Sequence, residues 1–154
     1  MIQRLLLDPN TVHAVLALQL AAYRVEARLL GVEDLPPMLD RPEDLLACGE
    51  TFLAETTPDA ALAGILSYTV ANHAVEICRL MVEPARFRRG TAGRLFAALE
   101  SQVPGWQGMR VTTGSGNEPA LAFYRGRGFE PVASRPVREG LRLVTLERRP
   151  QVLP

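Results

Sequence analysis

Residues Val75 to Leu99, VEICRLMVEPARFRRGTAGRLFAAL, constrain the fold more than any other stretch of the chain. Val75 to Val82 are mostly apolar or β-branched, the composition of a strand covered on both faces. Pro84 has no N–H to give to a ladder and stops the strand. Gly90 and Gly93 allow a close backbone approach to a ligand where the next helix begins. A helix start carries unpaired N–H groups and the positive end of the helix dipole, and Arg86, Arg88, Arg89 and Arg94 surround this one. The stretch reads as a strand–loop–helix cradle for phosphate or pyrophosphate; the alternative is an ordinary strand–helix turn with a solvated arginine cluster. The chain has no lysine, so it has no P-loop, and Gly90-x-x-Gly93 lacks a glycine of the G-x-G-x-x-G dinucleotide fingerprint.

Two motifs give the stretch a family context. Phe87, Arg88, Arg89, Gly90, Thr91 and Ala92 fill the frame R/Q-x-x-G-x-G/A, which resembles motif A of the GNAT N-acyltransferases; Phe87 departs from it, standing where the family has Gln or Arg. Binding in that motif falls mainly to backbone N–H groups, so the departure is expected to be tolerated. Asn117 to Phe129, NEPALAFYRGRGF, resembles motif B of the same family, N-x-x-A-x-x-F/L-Y-x-x-x-G-F, at Asn117, Ala120, Phe123, Tyr124, Gly128 and Phe129. Order and separation of the two motifs are also those of the family, and the resemblance covers about residues 50 to 148. It implies an α/β fold of mixed α+β type, a mostly antiparallel central sheet of about seven strands flanked by about four helices. It also implies one acetyltransferase domain over residues 1–148 with a loose tail at 149–154, acetyl-CoA as acyl donor, CoA as product and a primary amine as acceptor.

Composition is consistent with that reading. A chain of 154 residues suffices for one core, and 47% apolar with 22% charged residues is ordinary for a soluble globular domain. Cys48 and Cys78 form no disulfide framework and sit in no metal-ligand spacing, and the expected setting is the reduced cytoplasm. No apolar run reaches membrane-span length and the N-terminus lacks a signal-peptide pattern, so no membrane partner is expected. Net charge is zero but uneven. Residues 1–60 hold four arginines against ten carboxylates (−6), and residues 61–154 hold thirteen against seven (+6). A basic second half suits a phosphorylated ligand and an acidic first half suits a cationic acceptor, unless both are only solvated faces. With no net basic charge and no series of stacking aromatics, nucleic acid is not an expected partner. The resemblance leaves a homodimer open, since dimers are common in the family.

Along the chain, Ile2 to Leu7 reads as a strand. Asn10 or Thr11 caps a helix over VHAVLALQLAAYRVEARLLG that is either one helix or two short ones. Residues 31–41, with Pro36-Pro37, are irregular, and Pro42 opens a second helical turn. In the GNAT fold this region lines the acceptor site, and Glu33, Asp34, Leu35, Met38, Leu39 and Asp40 would make a mixed apolar and acidic wall. Strands follow at Thr51–Glu55 and Leu62–Val70, with a tight turn at Asn72-His73 leading into Val75. The second motif's helix is bracketed by a strand at Met109–Thr113 and by a closing hairpin of Phe129–Arg138 and Leu141–Arg148.

Acyl transfer needs a base for the amine, donors for the oxyanion and a proton for the leaving thiolate. Ala120, Phe123, Tyr124 and Arg127 share a helix face by their i, i+3, i+4, i+7 spacing. Tyr124 is the candidate acid, a phenol still protonated at neutral pH, unless it is only a core aromatic. Glu76 is the candidate base, with a structural ion pair to Arg79 as the competing reading. Cys78 lies on the same face as Glu76 by strand alternation; packing is favoured over an acyl-cysteine role. His13 and His73 read as surface residues. The resemblance implies that Leu80, Met81 and Val82 pair with the pantetheine arm, the Val82 N–H holding the acetyl carbonyl. It implies further that the N–H groups of Arg88 to Gly93 take the pyrophosphate, and that Asn117 and Arg127 contact the arm and phosphates. Two other readings stay open: a GNAT-fold acyl-CoA sensor without turnover, and a nucleotide-binding module of unrelated fold.

Overall fold

A computed structural model describes residues 1–150. The elements run β1 (Ile2–Leu5), α1 (Val12–Leu30), α2 (Pro42–Leu46), β2 (Thr51–Thr56), β3 (Leu62–Ala71), β4 (Ala74–Val82), α3 (Thr91–Gln102), β5 (Gly108–Gly114), α4 (Glu118–Arg125), β6 (Glu130–Arg138) and β7 (Leu141–Arg148). The strands form one sheet of order β1-β2-β3-β4-β5-β7-β6. Every neighbouring pair is antiparallel except β4 and β5, which are parallel. The mixed sheet with flanking helices is the architecture expected. Of the tail at 149–154, residues 151–154 lie outside the described residues.

Local chemistry explains the boundaries. Asn72 and His73 both adopt positive φ, 52° and 65°, the geometry that a two-residue hairpin between right-twisted strands requires. The segment left open as one helix or two is a single helix of 19 residues, closed by Gly31 at φ 72°. Its start differs from expectation. The Thr11 side chain caps nothing within the helix; Asp8 Oδ1 instead accepts from the N–H groups of Asn10 and Thr11 at 2.8 and 2.9 Å, a carboxylate being the stronger acceptor.

The sheet is covered on both faces over its central strands. Leu95, Phe96 and Leu99 of α3 and Leu121 and Tyr124 of α4 pack against Leu66, Val75 and Ile77 on one face. Val12, Val15 and Leu18 of α1 and Leu45 of α2 pack against Phe52, Ile65 and Met81 on the other. β4 is not the uniformly covered strand that its composition suggested. Ser67 pairs with Arg79 and Tyr68 with Ile77, so Cys78 is an unpaired bulge residue, and it is exposed. The extra residue switches the alternation. Val75 and Ile77 face α3, whereas Arg79 and Met81 face α1.

The bulge coincides with the place where the sheet splits. β4 pairs with β5 only over Ala74–Ile77 against Gly108–Val111. Beyond Ile77 the two parallel strands part, and β5 continues against β7 instead. Glu83 donates its N–H to Ala63 of β3 at 2.9 Å, so residues 79, 81 and 83 spend their backbone groups on β3. By the alternation of an antiparallel ladder, Leu80 and Val82 turn theirs toward the open fork.

Candidate active site

The fork opens into a cavity of about 710 Å³. β4 contributes Ile77 to Leu80 and Val82, the following loop and α3 contribute Arg86 to Arg88 and Gly90 to Gly93, and β5 contributes Val111 to Thr113. α4 supplies Asn117, Ala120, Phe123 and Tyr124, with Arg127 just beyond it, and α1 closes the wall with Tyr23 and Glu26. The two stretches singled out in the sequence thus meet across one cleft, and they are joined there by an element that the sequence did not nominate.

The start of α3 is built to be open. Gly90 is its N-cap, at φ 82°, and no side chain caps the helix. The N–H groups of Thr91, Ala92 and Gly93 precede the first intrahelical bond, Arg94 N–H to the Gly90 carbonyl at 3.0 Å, so they have no partners in the helix, and all three residues line the cavity. An added Cβ at Gly93 would lie 2.8 Å from the Arg127 guanidinium, so the missing side chain leaves room for that cation beside the helix start. A positive helix end ringed by Arg86, Arg88 and Arg127 fits a diphosphate, and the free edge of Leu80 and Val82 fits an extended amide arm.

The four arginines expected around this helix start divide. Arg86 and Arg88 line the cavity, whereas Arg89 and Arg94 do not. Arg94 folds back onto Glu55 of β2 with two hydrogen bonds and donates to the Arg89 carbonyl at 2.9 Å. Thr91 donates to the same carboxylate at 2.7 Å. The hydrogen bonds from Arg94, joined by that of Thr91, outweigh burial and hold Glu55 below the usual carboxylate range. Arg94 and Thr91 therefore clamp the loop to the sheet. Phe87 is 44% exposed at the mouth. Of the three strand residues, Leu80 and Val82 face the cleft, while Met81 is buried on the α1 side with its backbone committed to β3.

α4 presents its residues as its spacing predicts. Asn117 Oδ1 accepts the Ala120 N–H at 3.2 Å and so caps the helix, leaving Nδ2 3.5 Å from Thr113 Oγ1. Arg127 lies over the Phe123 ring, 3.7 Å from its centroid, and donates to the Phe123 carbonyl. Tyr124 is 4% exposed and packs edge-on against Phe123 and Phe129. Its hydroxyl has no hydrogen-bond partner among the described residues, and burial pushes the phenol far above its ordinary value. It is a donor with nothing to donate to except a cavity occupant.

Glu76 is placed differently. It does not line the cavity; its sheet neighbours are Thr69 and Arg110, and burial raises its carboxyl against the pull of Arg110. Arg79 is not its partner, so the competing ion-pair reading does not hold. The bulge turns Arg79 toward α1, where it meets Glu50 at 2.9 Å, Asp40 at 2.8 Å and the Gln19 amide oxygen at 2.7 Å. Cys78 borders the cavity, and desolvation pushes its thiol up to about 11, which disfavours a nucleophilic thiolate.

Sequence reasoning missed Glu26 and Tyr23. Both hang from α1 into the fork, Glu26 within 3.5 Å of Thr113 Oγ1. The signal available was a polar intrusion on the helix's buried stripe: Gln19, Tyr23, Glu26 and Leu30 follow at spacings of four, three and four.

Residues 13–129 match the acetyltransferase (GNAT) family. A Bacillus subtilis protein named UPF0157 protein YqkA is 29% identical over 137 residues, which are 89% of this chain; the chain spans 40% of that relative's length. Two solved structures share the fold. The ribosomal-protein-S18-alanine N-acetyltransferase from Escherichia coli superposes with a TM-score of 0.77 at 15% identity, covering 100% of this chain and 97% of its own. The PaiA N-acetyltransferase from Thermoplasma acidophilum, solved in complex with coenzyme A, gives 0.75 at 15% identity, covering 97% and 99%. No helix of the described residues is long and apolar enough to cross a membrane. With the family match covering most of the residues that build the cleft, the chain belongs to the acetyltransferase (GNAT) family.

Proposed function

We propose that this protein is an acetyl-CoA-dependent N-acetyltransferase that passes the acetyl group directly to a primary amine within a ternary complex. The observation that carries the reading is the fork between β4 and β5, which opens onto the unpartnered hydroxyl of Tyr124. The donor substrate supplies an activated thioester. The residues of the chain bind it, exclude water and handle protons. Thr91, Ala92 and Gly93 offer backbone N–H groups to its diphosphate, with Arg86, Arg88 and Arg127 as counter-charges. Leu80 and Val82 offer a free strand edge to its amide arm, the Val82 N–H being the donor nearest the loop for the acyl oxygen. Tyr124 gives its proton to the departing sulfur and regains one from the nitrogen, because burial makes a lasting phenolate costly.

The acceptor approaches along the wall formed by α1, the turn at Pro36–Leu39 and Asp40. A smaller pocket lined by Pro36, Pro37, Asp40, Glu50, Cys78 and Arg79 adjoins the main cavity at Cys78 and Arg79. The test is release of CoA thiol from acetyl-CoA in the presence of a panel of primary amines, with the acetylated product identified by mass. Amine-dependent release is expected. Tight CoA binding without release toward any amine would replace the enzyme with an acyl-CoA sensor.

A further inference from the structure

We propose that Glu26, reaching from α1 into the fork, is the group that takes the proton from the acceptor's ammonium, an assignment that rests on the acetyl-transfer reading above. Among the described residues it is the only carboxylate that lines the main cavity. It is half-buried and enters into no ion pair there, its one hydrogen bond being a long one, 3.5 Å, from Thr113 Oγ1. The other carboxylates around the cleft are committed. Asp40 and Glu50 hold Arg79, Glu55 holds Arg94, and Glu76 faces Arg110 outside the cavity. Burial raises the Glu26 carboxyl, while the neighbouring Asn117 amide and Thr113 hydroxyl pull the other way and favour the ionised form. A carboxylate so placed is a better proton acceptor than a solvated one.

Its surroundings suit an amine. Tyr23 and Tyr124, both feeling the charge of Glu26, line the same cavity, one from α1 and one from α4. Asn117 is fixed by capping α4, so Nδ2 stays beside Thr113 and orients the carboxylate through it. The proton balance closes. Glu26 accepts one proton from R–NH3⁺, freeing the nitrogen lone pair. The C–N bond forms as the C–S bond breaks. A second proton passes from nitrogen to sulfur by way of Tyr124, and Glu26 returns the first to solvent, leaving the amide, the CoA thiol and one H⁺.

The assignment predicts selectivity by the protonation state of the nucleophile. We would compare wild type, Glu26→Gln, Glu26→Asp and Glu76→Gln by CoA thiol release at neutral pH. The acceptors are simple alkyl amines, which arrive protonated, and hydroxylamine, which arrives neutral; CoA binding is titrated calorimetrically for each variant. The expected result is a loss of about 100-fold or more for Glu26→Gln with alkyl amines, within the usual range for a general base. Hydroxylamine turnover and CoA affinity should stay within a few-fold, Glu26→Asp should recover part of the loss, and Glu76→Gln should be near wild type. Equal loss toward both nucleophiles, or no loss toward either, would overturn the assignment and leave acetyl transfer standing. A larger loss in Glu76→Gln than in Glu26→Gln would return the role to Glu76. Wild type that binds CoA but acetylates neither nucleophile would overturn the transfer reading and Glu26's role together.

Discussion

Tyr124 is held by Phe123 and Phe129 with its hydroxyl unspent on the protein. Removing a hydroxyl that has no partner is close to neutral for stability. Tyr124→Phe is therefore expected to melt within about 2 °C of wild type while losing about 100-fold or more in the rate of amine-dependent thiol release. A large fall in the melting temperature would instead mark the hydroxyl as structural. The carboxylates allow a sharper check, because their shifts have opposite signs. Glu26 is raised in the folded protein above its ordinary value near 4.5, by burial first. Its favourable contribution is complete below that value and is lost as pH rises through the folded pKa. Glu26→Gln should therefore melt at or above wild type at pH 7, with the difference fading toward pH 4. Glu55 is lowered, first by its hydrogen bonds from Arg94. Its contribution is present above 4.5 and is lost as pH falls through the folded value. Glu55→Gln should melt lower at pH 7, and the gap should close in acid. A pH series of thermal unfolding on the two variants reads both signs.

At the scale of elements, two close approaches set the cleft. An added Cβ at Gly64 of β3 would lie 2.6 Å from Thr91 Cγ2 and 3.0 Å from the Met81 carbonyl. Only a glycine there lets the start of α3 sit tightly on the sheet. Gly64→Ala is expected to destabilise by roughly 1–3 kcal/mol, the usual cost of overpacking, and to weaken CoA binding by displacing the helix start; unchanged unfolding and binding would contradict that picture. On the opposite face, Arg79 joins α1, the 36–40 segment, the Cys48–Thr51 connection and β4 through Gln19, Asp40 and Glu50. Ser67 adds a hydrogen bond to Glu50 at 2.7 Å. Arg79→Met keeps the packing stem but strands two carboxylates, and should cost about 3 kcal/mol or more in denaturant unfolding. A loss under about 1 kcal/mol would mean the network is solvated and holds nothing in register.

At the scale of the molecule, the parts legible in advance were those written in short periods. Apolar and β-branched runs between turn residues located the strands, helical spacing put Ala120, Phe123 and Tyr124 of α4, with Arg127 just past its end, on the cleft, and the glycines and Pro84 marked the loop between β4 and α3. What was not legible depended on long-range pairing. The bulge at Cys78 arises from the register of β3 on β4; it set Arg79 on the α1 side, where Glu50 and Asp40, distant in sequence, take it in place of Glu76. Arg94 read as an anion ligand because its partner Glu55 lies 39 residues earlier. Glu26 came into view only once α1 was laid across the fork.

The central claim is that the fork and the α3 start together form an acyl-CoA site. The most direct test is thermal unfolding with acetyl-CoA, CoA, ATP and NAD, each in large excess. A ligand at about 100 times its dissociation constant stabilises by roughly 2.7 kcal/mol, a shift of several degrees for a domain of this size. That shift is expected with acetyl-CoA and CoA and not with ATP or NAD. Stabilisation by ATP or NAD with none from CoA would contradict the claim.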